Sequence, residues 1–207
     1  MSTPQHSRLI NAAAKAVLGS LGCVQKGRSR IWLDDHHWWV GVIEFQPSSW
    51  HKGSYLNVGA CWLWSEKDHL SFDAGYRVGS FRPFKGDEQF LPVAQTLAER
   101  AGQEVIGLRE RFASPSRVQS WLAAKPPTSI WDHYHLAVAA GLAGATDQSR
   151  QAFADVASHP DDRPWAADIR RRSAELRECL EHGAGLEPEV METVARTRAL
   201  LKLPPRA

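Results

Sequence analysis

The sequence predicts an α+β protein: an antiparallel sheet of about four strands packed with helices over residues 1–125, then a helical bundle over residues 126–207 docked on it. Three observations carry this. Between Arg30 and Trp64 apolar residues fall largely at every second position, the period of strands, and six of the nine tryptophans lie there. On both sides of this block apolar residues recur every three to four positions, the period of helices. Pro126-Pro127 forms a stiff hinge, and everything beyond it has the helical period.

Taken in order, Arg8 to Leu21 is an Ala-rich helix with an apolar stripe through Leu9, Ile10, Ala13, Ala14, Val17, Leu18 and Leu21. Ser7 is its expected N-cap, and Gly22 stands where a helix end wants a left-handed residue. Arg30 to Asp34 is the first strand, and Asp34-Asp35-His36-His37 the polar turn after it. The second strand runs from about Trp38 to Gln46, apolar on both faces as a central strand should be, and Pro47 ends it. Adjacent strand residues point to opposite faces, so one of Trp38 and Trp39 is expected under a helix and the other towards solvent or a partner. Ser48 to Ser54 reads as a loop, Tyr55 to Trp64 as a third strand, and Tyr76 to Phe84 as a weaker fourth. Short connections favour a meander.

Helices follow at about Asp87 to Phe112 and Ser116 to Lys125. Beyond the hinge they run over Ile130 to Leu142 (capped by Ser129), Asp147 to Ser158, Arg163 to Glu181 and Glu187 to Leu201. Ala137, Ala139, Ala140 and Ala143 with Ala152, Ala154 and Ala157 give faces that permit close helix packing, read as a helical cap rather than a repeat array. The tail Leu203 to Ala207 is expected to fray.

Several short segments carry a family resemblance. Leu21-Gly22-Cys23, Lys26-Gly27-Arg28, Ile43-Glu44-Phe45-Gln46 with Ser48-Ser49, and Tyr55-Leu56-Asn57-Val58-Gly59 resemble the bacterial family known as domain of unknown function 4304. Arg77-Val78-Gly79 stands where that family carries a short Arg-hydrophobic-Gly element. The resemblance covers about residues 8–112 and implies an α+β domain. It brings no activity, cofactor or catalytic residue.

Composition narrows the classes. No segment has the uninterrupted apolar length of a membrane span. Three widely spaced cysteines, Cys23, Cys61 and Cys179, with no Cys-x-x-Cys, read as free thiols. Met1 to Ser7 has no signal pattern, so a cytoplasmic location is expected. Residues 1–85 carry ten Lys/Arg against six Asp/Glu, an excess milder than nucleic-acid binders usually show.

Catalytic signatures are missing: there is no Gly-x-Ser-x-Gly elbow, Walker loop or dinucleotide fingerprint. Asp34-Asp35-His36-His37, with His51, Asp68 and His69, has metal-ligand residue types but the composition of an ordinary turn. Asp132 and His135 share a helix face, as a surface pair would. Glu44 and Gln46 project from one face of a mostly apolar strand and need partners, with Arg30, Arg77 or Asn57 as candidates.

The reading is therefore a non-catalytic binding or protein-interaction protein, a class that includes immunity and antitoxin proteins. Its partner is expected to be a protein, with no cofactor, metal or membrane. The expected binding residues are Trp38, Trp39, Glu44, Gln46, Asn57 and Arg77. One alternative is a hydrolase-like enzyme using Glu44 with the Asp/His cluster. Another is single-stranded nucleic-acid binding, by stacking on Trp38 or Trp39 beside Arg28 and Arg30.

Overall fold

Alternation in the Trp-rich block does build a sheet. The computed structural model describes residues 4–183 and 185–204. The chain groups into two compact units, Met1–Arg109 with Thr197–Ala207, and Glu110–Arg196. The first division therefore falls near the end of the long helix, not at Pro126-Pro127, and the last residues return to the sheet unit.

In the first unit, α1 (Gln5–Ser20) leads through β1 (Val24–Gln25), β2 (Ile31–Asp35), β3 (Trp39–Glu44), β4 (Gly53–Ser54), β5 (Asn57–Trp62), β6 (Ala74–Arg77) and β7 (Arg82–Pro83) to α2 (Asp87–Arg111). Five strands form an antiparallel sheet in the order β1-β2-β3-β5-β6, while β4 and β7 pair separately. So β3 is central, as its two apolar faces require. Trp32, Ile43 and Val58 share a rung on one face and pack with Ile10, Ala14 and Leu18 of α1 and Phe90, Ala94, Ala101 and Val105 of α2. Each of the larger aliphatic and aromatic side chains buried here contributes roughly 1.5–3 kcal/mol.

Local corrections have identifiable causes. Ser7 lies inside α1, which opens on Pro4 with no side-chain cap. Gly22 does take the left-handed conformation, at φ 82°. His37 adopts φ 69°, which tightens the turn and leaves Trp38 outside the strand. The expected Tyr76–Phe84 strand splits in two, because its second part pairs with Gly53–Ser54 rather than with the sheet. The expected fraying of the tail concerns in part residues 205–207, which lie outside the described residues.

Between β5 and β6 the backbones approach closely. A Cβ at Gly59 would lie 2.5 Å from Gly75 Cα and 2.7 Å from the Ala74 carbonyl oxygen. Gly59→Val is therefore expected to push β6 away, at about 1–3 kcal/mol. Urea unfolding measures the loss, and amide exchange at Tyr76 and Val78 should accelerate with it.

The second unit is helical: α3 (Pro115–Ala123), α4 (Ile130–Leu142), α5 (Thr146–Ser158), α6 (Pro164–Glu181) and the first turns of α7 (Glu187–Leu200). Ser114 caps α3 ahead of Pro115, and Ser129 with Asp132 forms a reciprocal capping box on α4. Ala137, Ala139, Ala140 and Ala152 are buried, and Ser149 Oγ donates to the Ala137 carbonyl at 2.7 Å, as small-residue faces allow. Among the described residues no helix is long and apolar enough to cross a membrane.

Candidate functional site

Register decides which polar side chains meet. Glu44 on β3 stands opposite Asn57 on β5, which stands opposite Arg77 on β6. Residues directly opposite share a face, so three polar groups form a row across the sheet. Asn57 Nδ2 donates to Glu44 Oε2 at 2.9 Å and to Gln46 Oε1 at 3.0 Å. Arg77 donates from Nε to Asn57 Oδ1 at 3.1 Å and from Nη2 to Gln46 Oε1 at 2.8 Å. Four of the six expected binding residues are thus brought together. Arg30 takes no part: its guanidinium reaches the Gly53 carbonyl instead.

Aromatic rings extend this row. The Arg77 guanidinium lies 4.0 Å from the centre of the Tyr55 ring, a cation–π contact. Tyr55 lies 4.9 Å from Phe81, and Phe81 lies 6.4 Å from His51. Trp50 precedes His51 and is 88 % exposed. The Ser48 hydroxyl accepts from the Trp50 and His51 amides at 3.2 and 3.4 Å, which holds the loop. Tyr55, Phe81 and Trp50 were missed in the sequence. Tyr55 sits two positions before Asn57, where strand alternation would have put it on the same face.

Trp38 and Trp39 lie elsewhere. Trp39 and Glu44 occupy opposite ends of β3, roughly 17 Å apart at the rise of a strand. Trp39 is 2 % exposed, and Trp38 stacks on Trp64 at 5.2 Å and Trp62 at 6.0 Å. The two neighbours pack together, because Trp38 belongs to the turn and escapes strand alternation. Trp39 is thus covered, and Trp38 is half-buried against the indoles of Trp62 and Trp64.

Arginines hold the Asp/His turn. Asp34 is buried on the helix-covered side and is bound through both oxygens by Arg109, at 2.9 and 2.7 Å, while His36 Nε2 lies 2.7 Å from Oδ2. Asp35 is gripped by Arg198 at 2.8 and 2.7 Å, and Arg198 also donates to the His37 carbonyl at 2.9 Å. Both carboxylates have all the partners a structural role needs. Asp34 faces α2 while Glu44 belongs to the polar row, so the hydrolase grouping is not assembled. His69 and Asp68 pair with each other in the open and join neither.

The other candidates are accounted for in the same way. Asp132 accepts from Thr128 and Ser129 as a cap, and His135 stacks on Trp131 at 5.6 Å. Among the described residues no three His, Cys, Asp or Glu side chains are gathered as a metal site. Burial, reinforced by Asp34, pushes the Cys23 thiol up to about 11, far from thiolate reactivity. All three cysteines are free.

No family model matches the chain, and no curated protein or solved structure is significantly similar to it. Function is therefore argued from the site itself.

Proposed function

We propose that this is a non-catalytic binding protein, and that it recognises a protein partner through the surface formed by Glu44, Gln46, Asn57, Arg77, Tyr55 and Trp50. The observation that carries this reading is Trp50, 88 % exposed on a loop beside a locked polar row. An exposed indole has no role in the core, whereas Trp, Tyr and Arg are the side chains that dominate protein interfaces. The row is also pre-organised: Arg77 is fixed by two hydrogen bonds and a ring, so little side-chain freedom remains to be lost on binding. Immunity or antitoxin proteins work by this kind of stoichiometric capture.

The test is a pull-down with the purified full chain, read as stoichiometry by mass spectrometry, repeated with Trp50→Ala and Arg77→Ala. Trp50→Ala should leave stability within about 0.5 kcal/mol of wild type. Each variant should weaken a one-to-one complex by about thirtyfold, the scale of an interface hot spot. A partner held equally by wild type and both variants would place recognition elsewhere.

A further inference from the structure

Among the described residues, Arg30 is a buried cation with no carboxylate bound to it. It precedes β2 and is 8 % exposed. Its terminal nitrogens lie 3.3 and 3.4 Å from a single acceptor, the Gly53 carbonyl, at the long end of hydrogen bonding. Nε is buried with no hydrogen-bond partner. Burial draws the guanidinium pKa down to about 10 against the pull of Glu44, which is itself engaged by Asn57. Removing one charge from water without pairing it is strongly unfavourable, so a fold that keeps such a group points to something that pairs it.

Lys52 and His6 are its neighbours in the fold. Lys52 precedes Gly53, and its carbonyl accepts from the Phe84 amide at 2.9 Å. The His6 ring lies 5.7 Å from the Phe84 ring. Burial lowers the His6 pKa, and Arg30 and Lys52 lower it further, so the ring is mainly neutral near pH 7 and offers an N–H donor. His6 belongs to the first turn of α1, which has no capping side chain and no acidic residue. Asp87 is held by the Gln5 amide at 2.5 Å.

We propose that Arg30, Lys52 and His6 form a receptor for a small oxyanion of the phosphate class, with the first amides of α1 as further donors. The donors come from the start of β2, from the loop before β4 and from α1. A tetrahedral oxyanion presents oxygens on all sides and suits such divergent donors better than a planar carboxylate does. Glu44 of the polar row acts on Arg30 electrostatically, but the two readings are tested by different variants, and neither depends on the other.

The experiment is thermal unfolding of the full chain with inorganic phosphate or phosphoserine, against acetate at matched ionic strength, with the His6 ring followed by NMR. Phosphate at a hundredfold excess over its Kd should raise Tm by about 5 °C or more and move the His6 signals. A larger effect of phosphoserine would mark a phosphoryl group carried by another molecule as the ligand; a larger effect of phosphate, the free ion. Arg30→Met should abolish the response. Should that variant fail to fold, the exposed Lys52→Ala should weaken binding by about three- to tenfold. Equal effects of phosphate and acetate, or an unchanged phosphate response in Lys52→Ala, would overturn the site.

Discussion

Trp62→Ala should destabilise the sheet unit by about 3–5 kcal/mol, a large share of the roughly 5–15 kcal/mol that holds an ordinary domain together. Trp62 is fully buried and stands opposite Trp39 on the central pair of strands. Its ring stacks on Trp64 at 5.0 Å and on Trp38 at 6.0 Å, and meets Trp39 edge-on at 6.4 Å. Truncation therefore removes a large apolar surface, leaves a cavity between three rigid rings, and forfeits aromatic pairs worth about 0.5–1.5 kcal/mol each. The backbone should survive, because the Trp62 amide donates to Asp73 Oδ2 at 2.7 Å and Lys67 holds that carboxylate in turn. Urea unfolding gives the magnitude, and loss of near-ultraviolet circular dichroism reports the dissolved stack. Trp50→Ala is the control: if the two variants unfold alike, the stack is not what stabilises this end of the sheet.

The contrast between these tryptophans shows where sequence reasoning reaches its limit. Alternation placed the strands well, because one-residue slips would exchange buried and exposed faces. It also put Glu44 and Gln46 on one face and offered Arg30, Arg77 or Asn57 as partners, of which Asn57 and Arg77 meet the pair. Those partnerships depend only on strand parity and short connections. Trp38 escaped the rule because one positive-φ residue, His37, took it out of the strand. Trp50 fell in the segment assigned as a loop, where no periodic pattern says whether a side chain is covered.

Long-range partners were the least legible feature. Arg109 lies 75 residues from Asp34, and Arg198 lies 163 residues from Asp35. Both arginines sit on helices whose sequence looks like ordinary solvated surface, and no local rule distinguishes a fork that closes on a buried carboxylate. The Asp/His turn consequently looked like possible chemistry, when its two acids anchor helix ends to the sheet. The excess of positive charge at Arg30 was visible as composition, but its burial was not, because burial there depends on the separate β4–β7 pair.

Asp34→Asn should destabilise the protein by about 2–3 kcal/mol near neutral pH, less than for a fully buried pair because Arg109 is 33 % exposed, although it removes one charge and almost no volume. Arg109 would keep its place under the sheet, where it also donates to the Leu21 carbonyl at 2.6 Å, but would lose the carboxylate it grips. The pH dependence separates this from a packing defect. Burial raises the Asp34 pKa, but His36 and Arg109 together outweigh it and hold the carboxyl below its ordinary value near 3.8. A depressed folded-state pKa contributes stability that is fully present above the unfolded value. That contribution is lost as pH falls from there through the folded value. Wild type should therefore lose stability steeply below about pH 4, where the unfolded chain takes up the proton first. The variant lacks this group and should respond less, so the gap between the two proteins should narrow as acid is added. Because the pair is mostly shielded from solvent, added salt should change the gap little at neutral pH. A gap that stays constant from about pH 7 to pH 3, across the range where an ordinary carboxylate titrates, would mean that the substituted amide disturbs packing and that the ion pair contributes nothing of its own.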